Sequence, residues 1–342
     1  MAKYLYKNKE SAGKDVKIRK YRIMIVAIIV GCIIMGGVFY YWNKTHSQVV
    51  LEIDKPEVQS QNDYQVSLEK QDQRRSMTLL SIGNSDLYSG LNPMQLWHDY
   101  GITAFNISAA KQNMKLSYYM LKYALKVQKP KFLLIEVDQF FEKRESIELE
   151  GYAYTALSYC YPLYRHSDKW EKIKNEKFVK DENSNHRLNY LGFYDSREIK
   201  KYNGGFDYMK QTQKREALPA LTKEYLPQIL SLAKQNDCQV LFVEFPSQTS
   251  WSYAKYNTVY DLSQEYQIPY LDFNVSQYGT GFDWKTDSRD GGNHLNYYGA
   301  RKMTKYIGEY LQKHYMIEDD RKNPEYQDYE DIYKKYQKNF TK

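Results

Sequence analysis

The stretch that decides the fold is 77-MTLLSIGNSDLYSG-90, in which an apolar run ends in a Gly-Asn pair followed by a serine. The run Met77–Ile82 has the length and composition of a short buried strand. Gly83 and Asn84 favour a tight turn, which delivers the hydroxyl of Ser85 to the start of a polar helix. This junction suits a nucleophile if a base, an orienting acid and an oxyanion site lie elsewhere in the chain.

Strand-like and helix-like patterns alternate downstream of this junction. The strand-like runs are 77–82, 102–107, 132–137, 240–245 and 269–273, and the helical patterns are 114–127, 221–235, 256–266 and 297–314. This alternation predicts an α/β fold, a three-layer α/β/α sandwich with a mostly parallel five-stranded sheet. Ligands bind such sheets at the carboxyl ends of the strands, and Ser85 follows the first of these ends by three residues.

The alternation fails at about 139–218, where Tyr, Lys and Glu are abundant. This segment is predicted to be an insertion in a domain spanning 76–316, either as a lid or substrate wall or as an ordinary decorative subdomain. The tail 317–342 is mostly charged and aromatic. We expect it to form an exposed helix or to remain loose.

The segment 23–42 has twenty consecutive residues without a charge. As a helix it would span about 30 Å, the thickness of the hydrocarbon layer, and Tyr40, Tyr41 and Trp42 stand where an aromatic belt is expected. An uncleaved transmembrane helix is therefore predicted. The alternatives are a cleaved signal peptide, which the bulky exit YYWNKTHS disfavours, and a deeply buried soluble helix.

The tail 1–22 has eight Lys and Arg residues against Glu10 and Asp15, a net charge of +6 out of the formal +7 of the whole chain. The positive-inside rule places this tail in the cytoplasm. The remainder, with a polar stalk at 43–75, is then extracytoplasmic, so the protein is expected to be a single-pass protein of the cell membrane. Because that remainder is almost neutral, its charge gives no support to nucleic-acid binding.

The cysteines and histidines carry no metal-binding signature. Cys160 and Cys238 lie beyond the predicted membrane segment, where they could form one disulfide, or Cys238 could be a buried thiol. The sequence lacks a CxxC motif and any His/Cys cluster, which argues against structural zinc. We predict neither a metal nor another cofactor.

A second informative segment is 286-TDSRDGGNHLNYYGARK-302. It places His294 in a glycine-rich loop before a helix, with Asp290 four residues and Asp287 seven residues upstream. A serine needs such a base, and the base needs an acid to fix its tautomer. None of the other five histidines combines a glycine-rich turn with acidic neighbours, although Asp-Gly-Gly-Asn is also an ordinary turn composition.

Together the two segments resemble the SGNH/GDSL hydrolase superfamily, with GNSDL in place of GDSL and with a late Asp-His motif. The similarity is greatest to the membrane-anchored bacterial branch that includes D-alanine transfer and alginate-type O-acetyltransfer proteins, whose late motif reads like D-G-G-H-L-N-Y-x-G-A. The present RDGGNHLNYYGARK has one extra residue before His294. The resemblance implies a flavodoxin-like SGNH fold and a triad of Ser85, His294 and Asp290, with Asp287 or a backbone carbonyl as substitutes for the acid.

The resemblance also implies an oxyanion hole made by backbone N–H groups and an Asn side chain. The corresponding loops, FNISAAKQN and IEVDQFF, lack the usual Gly and the Gly-x-Asn-Asp signature. The expected donors are the N–H groups of Ser85, Ala110 and Lys111, with a side chain from Asn113 or Gln112.

These features predict an extracytoplasmic serine esterase or O-acyltransferase acting on ester groups of an envelope polysaccharide or teichoic-type polymer. The resemblance implies a membrane-bound O-acyltransferase as partner. The altered late motif also fits a catalytically impaired scaffold that binds glycan or that partner. A third reading is a membrane-tethered glycosidase that uses Glu136 or Asp138.

Overall fold

The computed structural model describes residues 76–126, 128–143, 190–276 and 278–340. The chain divides into two compact units, 1–67 and 68–342, and every described residue belongs to the second. The predicted membrane segment 23–42 and the stalk lie outside the described residues. Within the described ranges, none of the helices is both long and apolar enough to cross a membrane.

A parallel five-stranded sheet forms the centre of the domain. Its strands are β1 (Leu79–Gly83), β2 (Ala104–Ser108), β3 (Phe132–Glu136), β4 (Gln239–Glu244) and β5 (Tyr270–Asp272). They are ordered β2-β1-β3-β4-β5, and every adjacent pair is parallel. This order is the flavodoxin-like one, and it confirms the predicted parallel α/β sheet.

Helices fill the connections and cover the sheet. They are α1 (Ser85–Gly90), α2 (Pro93–Tyr100), α3 (Met114–Ala124), α4 (Ala220–Gln235), α5 (Tyr253–Tyr266), α6 (Tyr297–His314) and α7 (Gln327–Phe340). Short 3-10 turns occupy Asp138–Phe141, Asp320–Lys322 and Pro324–Tyr326.

The two faces of the sheet bury separate hydrophobic clusters. Leu80 and Ile82 of β1 belong to one cluster, together with side chains of α3 and α4, and Leu79 belongs to the other, together with α6. Because successive side chains of a strand point to opposite faces, a strand that is buried throughout must be covered on both sides. The domain therefore has the three layers that the sequence predicts.

The C-terminal segment differs from the expected exposed helix or loose tail. Helix α7 buries Tyr329, Ile332 and Tyr336, and the ring of Tyr329 lies 5.4 Å from that of Trp97 in α2. These three positions share one face of a helix because they are spaced by three and four residues. In the sequence, charged residues stand between these three positions, so the apolar spacing of the helix is difficult to recognise.

The docking of α7 gives a stability prediction. Ile332 is buried in the same cluster as Trp97, so the substitution Ile332→Ala should lower the free energy of unfolding by about 2–4 kcal/mol through lost burial and the resulting cavity. Urea unfolding followed by tryptophan fluorescence measures it. Lys335→Ala, at an exposed position of the same helix, is the control, and equal stabilities for the two variants would contradict the docked arrangement.

Cys238 carries a free thiol. Its Sγ donates a hydrogen bond to the carbonyl of Pro130 over 3.0 Å, and burial, followed by the charge of Asp237, raises the pKa of the thiol to about 11. The alternative of a partly buried thiol thus describes Cys238 in this structure, and the possible disulfide to Cys160 stays a prediction. Cys160 itself lies outside the described residues.

Candidate active site at the carboxyl end of β1

The turn that carries Ser85 is held by the side chain and backbone of Asn84. Its Oδ1 accepts a hydrogen bond from the N–H of Asp86 over 2.8 Å, which caps the start of α1. Its own N–H donates to Oε2 of Glu136 over 2.8 Å, and its Nδ2 donates to Oδ2 of Asp138 over 2.9 Å. Ser85, the first residue of α1, is therefore fixed relative to the end of β3.

Gly83 allows β1 and β3 to approach closely at this point. A Cβ atom added to Gly83 would lie 2.7 Å from the Cβ atoms of both Glu136 and Leu87. These distances are far below van der Waals contact, so a larger residue would force the strand ends apart. The two residues of the Gly-Asn pair thus have separate structural roles. Gly83 permits the close approach of β1 and β3, and Asn84 caps helix α1.

His294 is paired with Asp290 in spite of the extra residue between them. Oδ2 of Asp290 lies 2.5 Å from Nδ1 of His294, and Oδ1 accepts from the His294 N–H over 2.8 Å. Gly291 and Gly292 have φ angles of 84° and 101°, in the left-handed region that glycine occupies without strain. The two glycines therefore let the loop accommodate the extra residue, and the carboxylate of Asp290 still contacts the imidazole of His294.

The electrostatics of this pair favour an ionised acid. Burial acts to raise the pKa of Asp290, but hydrogen bonds from the side chain and backbone of His294 and the nearby positive charges outweigh it. The pKa of Asp290 consequently lies below its usual value. An ionised carboxylate at Nδ1 leaves Nε2 free of the proton and able to accept one.

Asp287, the alternative acid, is engaged elsewhere. It is buried, and its Oδ2 accepts hydrogen bonds from Nζ of Lys302 and from the N–H of Asp283, each over 2.7 Å. Of the acids considered from the sequence, Asp290 is the one in contact with His294.

Nε2 of His294 faces the start of α1. It lies 3.9 Å from Oδ1 of Asp86, the residue that follows Ser85. Among the described residues, the Ser85 hydroxyl and His294 are not joined by a hydrogen bond. Such bonds often tighten only when substrate binds. The structure thus brings base and acid together, with Nε2 of His294 near the residue that follows Ser85, and proton transfer from Ser85 to His294 stays a prediction.

Arg289 joins the histidine loop to α1. Its Nη1 donates to Oγ of Ser89 over 2.7 Å and to the carbonyl of Leu295 over 2.8 Å. The guanidinium also lies over the ring of Tyr194, 5.0 Å from its centroid. Because Ser89 is one turn beyond Ser85 on α1, this contact fixes the loop against the helix that carries the serine.

The described part of the insertion lies along the same side of the site. The N–H of Tyr194 donates to the carbonyl of Tyr88 in α1, and the N–H of Lys200 donates to the carbonyl of Ser288, each over 2.9 Å. The segment 190–202 therefore contacts both the serine helix and the histidine loop. The described end of the insertion thus packs against the candidate site, and residues 144–189 lie outside the described part. The lid or substrate wall and the decorative subdomain both stay predictions.

The predicted oxyanion residues occupy the loop after β2. Gly83 is the register partner of Ser108, so this loop leaves the sheet next to the serine turn. Ala110 and Lys111 are exposed, and Lys111 has a φ of 58°. Asn113 is buried and its Oδ1 accepts from the N–H of Leu116 over 3.0 Å, which caps α3. The described contacts do not join these three residues to Ser85 or His294.

Three buried carboxylates lie beneath this surface, and the sequence analysis considered only Glu136 among them, as a residue of the alternative glycosidase. Asp86, Glu136 and Glu244 are all buried, and one carboxylate oxygen from each lies within 4.8 Å of the others. Burial, and then the charge of neighbouring carboxylates, raises the pKa of each of the three groups. The available signal was that β3 and β4 are apolar runs that both end in Glu.

Comparison with known proteins gives structural similarity only. No protein-family model and no curated protein sequence matches the chain. A protein assigned to the lipolytic G-D-S-L family from Desulfitobacterium hafniense DCB-2 has 12% sequence identity and a TM-score of 0.37, over 68% of this chain and 98% of that one.

Two further solved structures come from Bacteroides species. A protein assigned as an acylhydrolase from Bacteroides fragilis NCTC 9343 has 10% identity and a TM-score of 0.35, over 76% of this chain and 99% of that one. A GDSL-like lipase from Bacteroides thetaiotaomicron VPI-5482 has 10% identity and a TM-score of 0.34, over 73% and 97%. Similarity at this level does not establish a shared activity.

Proposed function

We propose that the protein is a serine esterase or O-acyltransferase that forms an acyl-enzyme on Ser85. The observation that carries this proposal is the Asp290–His294 pair, with 2.5 Å between Oδ2 and Nδ1, held beside the turn that bears the serine. Base and orienting acid are the two groups that a serine hydroxyl requires, because it is barely ionised at neutral pH.

In the proposed reaction, Oγ of Ser85 attacks the ester carbonyl while Nε2 of His294 takes its proton. The tetrahedral intermediate collapses as His294 returns that proton to the leaving alcohol, and Asp290 stabilises the imidazolium in between. The N–H of Ser85 and the loop Ala110–Asn113 are the proposed oxyanion donors. Water or a sugar hydroxyl then resolves the acyl-enzyme, and the choice decides between esterase and transferase.

The proposed substrate is an acyl ester on an envelope polysaccharide or teichoic-type polymer. Support comes from the apolar segment 23–42 behind a basic tail, which predicts a catalytic domain outside the membrane, and from the resemblance of the serine and histidine motifs. On the same basis, a membrane-bound O-acyltransferase is the proposed partner. The alternative is a scaffold that keeps the fold and binds glycan or that partner without catalysis.

A fluorophosphonate probe tests the proposal directly. Full-length protein in detergent should be labelled on one residue, identified as Ser85 by peptide mass spectrometry, because only an activated serine reacts quickly with the probe. The variant Ser85→Ala should lose the label. Ser231→Ala, at an exposed position of α4, should keep it.

Folded wild-type protein that resists the probe would exclude an activated Ser85. Measurable binding of a glycan by that same protein would favour the scaffold.

A further inference from the structure

We propose that Asp86, Glu136 and Glu244 bind one divalent cation that prefers oxygen ligands, and that this cation is Ca²⁺. One carboxylate oxygen from each residue lies within 4.8 Å of the other two. Ca²⁺ binds carboxylates in a monodentate or bidentate manner and in flexible geometry, whereas Mg²⁺ demands a near-ideal octahedron and keeps several waters. A site made of three buried carboxylates therefore suits Ca²⁺ better than Mg²⁺.

Carboxyl groups outnumber cationic side chains around the cluster in the described part of the chain. Asp138 adds a fourth carboxylate, and its Oδ1 is paired with Nζ of Lys255 over 2.8 Å. Among the described residues, His294, with Nε2 3.9 Å from Asp86, is the other potential cation near the cluster. Because Lys255 is paired with Asp138, the described side chains do not supply a positive charge for each of the three buried carboxyl groups. Buried carboxylates are costly unless they are paired, protonated or bound to a metal.

Glu244 gives a second and independent indication. Its side chain is completely buried, and neither carboxylate oxygen accepts a hydrogen bond from an N–H or hydroxyl group of the described residues, although the carboxyl group of Glu136 lies within hydrogen-bond range. Glu136, in contrast, accepts from two backbone N–H groups, and Asp86 accepts from Oγ of Ser250. A proton shared with Glu136 would satisfy one oxygen of Glu244 at most. Both carboxylate oxygens of Glu244 can bind a cation, since carboxylates often coordinate Ca²⁺ in a bidentate manner.

The cation would connect three elements that surround the serine turn. Asp86 belongs to α1, Glu136 ends β3 and Glu244 ends β4, so one ion would fix the helix of Ser85 against two strands. This role does not require catalysis by Ser85. Cation binding should therefore persist in Ser85→Ala, so failure of the esterase proposal and failure of the cation proposal are distinguishable.

Calorimetric titration of CaCl₂ into EDTA-treated full-length protein in detergent tests the site. We expect one saturable site per chain in the wild type and in Ser85→Ala. Glu244→Gln keeps the shape of the side chain and removes its charge, and it should weaken binding roughly tenfold or more, because even residues behind the ligands commonly contribute that much. Glu265→Gln, at an exposed position of α5, is the matched control and should bind like the wild type.

Either an absence of saturable Ca²⁺ binding in the wild type, or equal binding in Glu244→Gln and Glu265→Gln, would overturn the proposal. If Glu244→Gln does not fold by circular dichroism, thermal unfolding of the wild type decides. The midpoint should rise with CaCl₂ relative to EDTA, as for any ligand that binds the folded state alone, and an unchanged midpoint would count against the site.

Discussion

Substitution of Ser85 by alanine should reduce kcat/KM for p-nitrophenyl acetate by roughly 10⁴-fold or more, to the level that residual binding and oxyanion contacts provide. The loss is large because the acyl-enzyme cannot form without Oγ, and the other members of a triad do not act independently of the nucleophile. The release of p-nitrophenol, followed by absorbance, measures it. Circular dichroism checks that the variant is folded.

Ser231→Ala is the matched control for this result. Its hydroxyl accepts a hydrogen bond from Gln235 at an exposed position, so its loss should leave kcat/KM unchanged. An active Ser85→Ala protein would exclude the proposed mechanism, whatever the state of the other site residues.

Substitution of His294 by glutamine should cost roughly 10³–10⁴-fold in kcat with little change in KM, because proton transfer is lost while substrate contacts persist. Asp290→Asn should cost nearly as much, since an amide at this place favours the wrong imidazole tautomer. Rates at saturating p-nitrophenyl acetate measure both variants.

Substitutions of other aspartates test whether Asp290 or Asp287 is the acid that orients His294. Asp207→Asn, at an exposed position, should retain full activity. Asp287→Asn breaks the pairing with Lys302 and should lower stability rather than the rate of the folded protein. A fully active Asp290→Asn together with an inactive but folded Asp287→Asn would transfer the role of the acid to Asp287.

The five strands of the sheet and the helices α3 to α6 were predictable because their patterns are local, whereas α2 (Pro93–Tyr100) was not predicted. Helix α6 spans Tyr297–His314, as predicted, since Asn296 caps it and its apolar spacing is regular. Strand β1 begins two residues later than the apolar run and includes Gly83, because hydrogen bonding to β2 extends to the pair Gly83 and Ser108. An apolar run alone does not predict the residues at which a strand begins and ends its pairing with a neighbouring strand.

The candidate site was predictable only in part, for a related reason. His294 and Asp290 lie within one loop, so the sequence of that loop contains both the base and its acid. Asp86, Glu136 and Glu244 come from three separate elements, and only the order of the strands brings them together. The prediction of no metal depended on Cys and His spacing, which gives no information on carboxylates from separate elements, and it stays a prediction opposed to the proposed cation site.

The close contact at Gly83 makes the serine turn and the carboxylates one structural unit. Because no side-chain carbon stands between β1 and β3 at this position, Glu136 reaches the N–H of Asn84. A change that moves Glu136 is therefore expected to move Asn84, the residue that precedes the proposed nucleophile. A cation bound to the carboxylates would then affect the position of Ser85 through one backbone hydrogen bond, in addition to the contact between Asp86 and His294.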